Sequence, residues 1–231
     1  MSTEQSIGTR LRQARQARGV SLRSVALELG VSASLISQVE TGKSKPSVAT
    51  LYAFANLLGV SLDDVLGLEG AAPQSRQTIS AGNVPEVQRA ADNPSIEMEN
   101  GVRWERLAGG VGGPAESLLV TYAPGASSSQ DGRLMRHPGV EYAYVLEGVI
   151  TLQLEDGIHE LGPGDSLQFD SMRSHMFANR GTSVARGVWF VVGRHTSGNL
   201  PANDRDRGGS ATSPVEVLQR SDSMDHEDAN R

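Results

Sequence analysis

Between Ser21 and Lys45 the apolar residues recur with helical spacing twice over. Leu22, Val25, Ala26 and Leu29 fall at i, i+3, i+4 and i+7, one face of a helix, with Ser21 as N-cap and Gly30 as the break after it. Ser32 caps a second helix whose Leu35, Ile36 and Val39 share one side, and Gly42 ends it. Before this pair, Ile7, Leu11 and Ala14 begin an amphipathic helix, with Arg10, Arg12, Arg15 and Arg18 around its solvated side and Gly19 as its stop. After it, Pro46 and Ser47 open a fourth helix with a face of Val48, Leu51, Tyr52, Ala55 and Leu58, closed by Gly59. The stretch Ser61 to Asp64 reads as a capping arrangement for a short last helix ending near Leu66. Together these predict an all-α, five-helix domain over residues 7–66, a size that folds alone.

The pattern then dissolves. Residues 67–94 are rich in Gly, Ala, Pro, Ser and Gln and read as a linker, with one early strand around Gln77–Ile79. From residue 95 the period changes from helical to two. Runs around Ile96 and Val102–Leu107 flank Asn100-Gly101, the favoured two-residue hairpin turn. Further strands are expected over 117–122, 142–146, 149–154, 158–161, 166–169, 175–178 and 184–192, broken by turns at Glu147-Gly148, Asp156-Gly157 and Gly162 to Asp165. Many short strands at regular spacing argue an all-β sandwich or barrel over 95–195. Residues 196–231 are polar, acidic at the end and expected to be disordered, with Val215–Leu218 as a short exception.

The helix pair and its continuation, VSASLISQVETGKSKPSVATLYAFANLLGVSLDDVL, resemble the helix-turn-helix of the Xre/Cro phage-repressor family over residues 7–66. The resemblance implies that the second motif helix enters the major groove with its N-terminal side chains at base edges. By position, Ser32, Ala33, Ser34, Ser37 and Gln38 would then face DNA, with Gln38 suited to adenine. Arg23, Lys43, Ser44 and Lys45 would be phosphate contacts. The alternative is an ordinary helical hairpin with a solvated polar face.

The stretch HPGVEYAYVLEGVITLQLEDGIHELGPGDSLQFDSMRSHMFAN is similar to the cupin fold, a small jelly-roll barrel built as a double-stranded β-helix. A helix-turn-helix followed by a cupin resembles a group of bacterial transcription regulators in which the barrel senses a ligand and dimerises. Metal-binding cupins carry two histidines one residue apart, then a glutamate, then a third histidine. The matching positions here are Met135, His137, Glu141 and His175, so methionine, a soft and weak donor, stands in place of the first ligand. Three readings compete for His137, Glu141 and His175: an effector pocket without metal, a bound divalent metal, or inherited positions satisfied by one another. Tyr142, Tyr144, Phe169, Met176 and Trp189 are expected in the core, with Tyr144 also counted among the effector-binding residues; Arg133 and Arg136 flank the replaced position. His159 and His195 are read as surface residues.

Charge sharpens the division. The chain of 231 residues carries a net charge of −6, yet residues 1–66 hold seven Lys/Arg against five Asp/Glu and the remainder fourteen against twenty-two. A mildly basic domain joined to an acidic one fits a DNA reader that needs two copies to gather enough phosphate contacts. There is no cysteine, which removes disulfides and thiolate metal sites. No apolar run is long enough to span a membrane and the N-terminus lacks an export signal, so the cytoplasm is the expected location. The expected function is a dimeric, sequence-specific DNA-binding transcription regulator, not an enzyme, with a cupin sensor for a small-molecule effector and double-stranded operator DNA as partner. The alternatives are a cupin metalloenzyme of oxygenase or isomerase type with an accessory DNA-binding domain, and an architectural DNA binder whose barrel only dimerises.

Overall fold

The computed structural model describes residues 6–61, 64–65, 87–108, 115–129 and 131–193, all within one packed unit, Met1–His195. Most of the expected linker, the strand near Gln77–Ile79 and the tail from residue 196 lie outside the described residues.

The N-terminal part is helical: α1 (Ile7–Ala17), α2 (Leu22–Leu29), α3 (Ala33–Glu40) and α4 (Val48–Leu58). Ser6, Ser21, Ser32 and Ser47 each accept a hydrogen bond from a backbone N–H three residues on, so all four N-termini are capped by serine hydroxyls. Gly30 and Gly59 close α2 and α4 in the left-handed region, at φ 66° and 53°. Of the expected fifth helix, Asp64 and Val65 are described; Asp64 N–H donates to the Ser61 hydroxyl and Ser61 N–H to the Asp64 carboxylate, a reciprocal capping box.

One arginine departs from the expected solvated face. Arg15 is buried, because its position continues the 7, 11 row toward the core, and it is neutralised there by Glu40 at the end of α3. Its Nε and Nη2 donate to the two carboxylate oxygens at 2.6 and 2.9 Å, and Nη1 donates to the Val20 carbonyl at 2.8 Å. This fork ties α1 to α3. Beside it Gly8 packs on the backbone of Val39 and Glu40, where a β-carbon would collide with the Val39 carbonyl.

The C-terminal part is β-rich. Strands β1 (Ser95–Glu97), β2 (Val102–Arg106), β3 (Ala115–Tyr122), β4 (Val140–Glu147), β5 (Ile150–Leu154), β6 (Gly157–Leu161), β7 (Ser166–Asp170), β8 (His175–Ala178) and β9 (Ala185–Val192) form two sheets. The larger runs β1-β2-β3-β9-β4-β7 and the smaller β6-β5-β8, with neighbouring strands antiparallel. Asn100 and Gly101 both take positive φ, 65° and 74°, as a hairpin turn between twisted strands requires. Period-two alternation sends Glu141, Ala143 and Val145 of β4 and Ala185, Trp189 and Val191 of β9 inward, against Phe177 of the smaller sheet. Gly187 is bare because any β-carbon would meet the Trp189 ring and the Tyr144 carbonyl.

The same alternation corrects two expected core residues. Tyr142 and Tyr144 occupy the outward set of β4 and are 43% and 49% exposed, whereas Phe169, Met176 and Trp189 are buried as expected.

Helix α4 is apolar nearly all round, with Val48, Leu51, Tyr52, Phe54, Ala55 and Leu58 buried. It has two partners: α1 and α2 on one side, the β-rich part on the other. The junction is hydrogen-bonded. Ala49 N–H donates to the Ser128 carbonyl at 3.1 Å, Glu99 N–H to the Pro46 carbonyl at 3.0 Å, and Arg133 Nη1 to the Gly30 carbonyl at 3.1 Å.

Candidate functional site

Two groups of the residues singled out above occupy distinct places. On α3 and its flanks, Ser32, Ser34 and Gln38 are exposed, as are Arg23, Lys43 and Lys45, while Ala33, Ser37 and Ser44 are half-buried. Ser32 has a structural duty too, its hydroxyl accepting from Leu35 N–H at 3.1 Å. Gln38 Nε2 lies 3.5 Å from the Ser34 hydroxyl, so both point from the same side of the helix. Ile36, Val39 and Glu40 anchor the opposite side. A short helix with small polar side chains outward and its inner face locked to α1 and α2 has the form of a groove-reading element.

The second group is buried in the β-rich part. His137 precedes β4, Glu141 lies on the inner face of β4 in the larger sheet, and His175 opens β8 in the smaller one. An antiparallel bridge between Met135 and His175, closed by hydrogen bonds of 2.9 and 2.8 Å, ties the segment before β4 to β8 there. The three residues are at most 3% exposed, and one potential ligand atom from each lies within 4.8 Å of the others.

Their hydrogen bonds determine what these atoms can do. His137 Nδ1 faces the Pro138 carbonyl at 3.2 Å and His175 Nδ1 the Arg173 carbonyl at 2.8 Å. Carbonyls only accept, so both Nδ1 atoms carry the hydrogen, and in the neutral rings both Nε2 atoms present lone pairs. These Nε2 atoms stand 2.9 and 3.2 Å from Oε1 of Glu141, yet neither contact has the alignment of a hydrogen bond. Burial pushes the Glu141 carboxyl up; when the imidazoles also carry a proton on Nε2, their donation and charge outweigh burial and hold it at about 2. With neutral rings, three buried electron-pair donors converge without partners, an arrangement that could hold a metal ion or share a proton.

Aromatic rings enclose the trio. Phe169 stands edge-on to His175 at 5.0 Å between centroids, and Tyr52 of α4 stacks on His137 at 4.6 Å with planes 12° apart. Tyr52 also meets Trp104 edge-to-face at 5.2 Å. Beside Glu141 is a cavity of about 20 Å³, lined otherwise by apolar and aromatic residues including Val48, Tyr52, Trp104 and Met135. That is room for one water or one ion. A larger cleft of about 250 Å³ lies between the helices and segment 129–136, lined by Leu29, Leu35, Thr50, Tyr52, Met135 and Arg136 among others.

Tyr144 does not reach the trio, because its outward position on β4 puts it on the opposite face of the sheet from Glu141. Arg133 is taken up by Asp131 at 2.8 Å and by Gly30, and His159 is exposed. Tyr52 was legible only as an apolar residue of its own helix; no pattern within residues 46–59 announces a histidine across the domain junction.

The helix-turn-helix family HTH_3 matches residues 11–65 and the cupin domain family Cupin_2 matches residues 118–191. The chain is 26% identical over 190 residues to the HTH-type transcriptional regulator PuuR of Escherichia coli, covering 82% of this chain and 94% of that protein. It is 25% identical over 182 residues to SutR of the same organism, covering 76% and 88%. Among solved structures, an HTH_3 family transcriptional regulator from Vibrio cholerae shares the fold with a TM-score of 0.55 at 22% identity, covering 81% of this chain and 94% of that one. With both domains matched in this order, the chain carries an HTH_3 (XRE) helix-turn-helix domain followed by a Cupin_2 domain, the makeup of an HTH-type transcriptional regulator similar to PuuR.

Proposed function

We propose that this protein is a dimeric, sequence-specific operator-binding regulator whose His137, Glu141 and His175 form the sensing site. The observation that carries the sensing part is the convergence of two imidazole nitrogens and a carboxylate oxygen, all buried and none hydrogen-bonded. Two histidines and one carboxylate with open positions suit a divalent transition metal, and the small cavity beside Glu141 leaves space for one further small ligand. When bound, such an ion would supply the positive charge that the three donors lack. Met135, in contact with the His175 backbone, adds no competent hard-metal ligand. Against the oxygenase or isomerase alternative stand the relatives that match most of the chain, PuuR and SutR, which are transcriptional regulators.

On the DNA side, Ser32, Ala33, Ser34, Ser37 and Gln38 read base edges, and Arg23, Lys43, Ser44 and Lys45 hold phosphates. Dimerisation runs through the outer face of β4 and β9, where Tyr142 opposes Phe190 and Tyr144 and Leu146 continue an exposed apolar patch. The domain bounds 7–66 and 95–195, joined by the linker 67–94 and followed by the tail 196–231, belong to the same reading. A ligand changes operator affinity only by binding the competent and incompetent arrangements unequally.

Elemental analysis of protein purified without chelator tests the sensing site. About one equivalent of divalent metal is expected per subunit, and none in His175→Ala. Metal-free wild-type protein that takes up no added Mn²⁺, Fe²⁺ or Zn²⁺ would sink the metal reading. Selection of bound sites from random duplexes tests the DNA side, with two symmetric half-sites about 34 Å apart as the expected outcome.

A further inference from the structure

We propose that Tyr52, a residue of the DNA-binding domain, is the gate of the cupin trio, so that occupancy of the trio and docking of the helical domain are one linked equilibrium. The inference rests on the reading of the trio as a binding site. It is carried by geometry at the junction. His137, Glu141 and His175 are sealed from solvent, and the small cavity beside them is bounded by Val48 and Tyr52 of α4 as well as by the sheets. Tyr52 and Met135 line both this cavity and the cleft of about 250 Å³ between the helices and segment 129–136. These two side chains are thus the partition between a vestibule and the buried donors.

Met135 belongs to the β-rich part, its backbone bridged to His175, whereas Tyr52 is the half that the helical domain contributes. Its ring lies flat on His137 and edge-to-face with Trp104, and it is 6% exposed. The ring packs against His137 and Trp104 across the junction, so displacing it removes packing that holds α4 on the β-rich part. α4 packs on α2 and α1, which hold α3. A ligand too large for the small cavity can reach Glu141 only by displacing Tyr52, which joins vestibule and cavity and loosens the helical domain. An ion that fits favours the closed arrangement. Linkage makes the effect reciprocal: whatever stabilises docking slows exchange at the trio, and filling the trio stabilises docking.

The test uses the full chain loaded with Zn²⁺ alone. Metal release to excess chelator is timed by stopped flow in wild type, Tyr52→Phe and Tyr52→Ala. Loss of the stacked ring should speed release by at least about tenfold, while Tyr52→Phe, which keeps the ring, should stay within about twofold of wild type. Equal rates in Tyr52→Ala and wild type would overturn the gate while leaving the trio intact as a site. Failure of the wild type to bind Zn²⁺ would overturn the trio itself, and the gate with it. Should Tyr52→Ala not fold, amide hydrogen exchange on the wild type decides: Zn²⁺ should slow exchange in α4, and unchanged protection there would overturn the coupling.

Discussion

Replacing Glu40 by alanine probes how the recognition helix is held. In the native domain Glu40 receives two charge-assisted hydrogen bonds from Arg15 at 2.6 and 2.9 Å, with the side chains 11% and 3% exposed for Arg15 and Glu40. Removing the carboxylate leaves a guanidinium in the α1–α3 interface with only the Val20 carbonyl as acceptor. Breaking a buried pair in this way costs about 3–5 kcal/mol, and the small residual exposure of Arg15 places the expectation near about 3. A helical domain of this size has a total stability of only roughly 3–5 kcal/mol, so the loss should leave it largely unfolded at physiological temperature. Urea unfolding followed by far-UV circular dichroism should show the helical signal lost at much lower denaturant, with the β-rich signal persisting. The double change Arg15→Met with Glu40→Leu removes the stranded charge and should recover most of the loss, giving a coupling of at least about 2 kcal/mol. A cost below about 1 kcal/mol for Glu40→Ala, the range of a surface pair, would refute the reasoning. So would a double variant as unstable as the single one.

Four further outcomes are expected. Gly8→Ala should destabilise the helical domain by about 1–3 kcal/mol in thermal melts, since its β-carbon would meet backbone and not a movable side chain. Gln38→Ala should weaken selected operators by about 1–3 kcal/mol and relax base preference, whereas Lys43→Ala should weaken all sequences alike and reduce the salt slope by about one. Phe190→Asp should convert a dimer to a monomer in sedimentation, because it buries a charge at the centre of the outward β4–β9 patch. Glu141 has a folded value of about 2 against an ordinary 4.5, so its stabilisation is complete above about pH 4.5 and is lost as pH falls toward 2. The stability gap between wild type and Glu141→Gln should therefore shrink on acidification, by on the order of 3 kcal/mol across that window.

Most of the secondary structure was legible because it follows from short-range rules. Serine caps, left-handed glycines and the Asn100-Gly101 turn act within four residues, and the shift from helical to alternating period after residue 95 marks the change of fold class. The residue types of the trio were legible by position as well. Their convergence was not, since His137 and His175 meet through pairings between segments far apart in the chain, the Met135–His175 bridge among them. Arg15 shows the limit within one domain: a charge on a helix reads as solvated until a partner 25 residues away is known to face it. Tyr144 shows the limit of strand phase, because Glu141 pointing inward forces Tyr144 outward, and that phase is fixed only when the sheets pack. Tyr52 shows the widest gap. Sequence alone determined that it is an apolar residue of a helix; tertiary structure decided that its ring stacks on His137 of the other domain. Periodicity encodes which face of an element is buried, but the identity of the neighbour depends on contacts between distant segments, which leave no local signature.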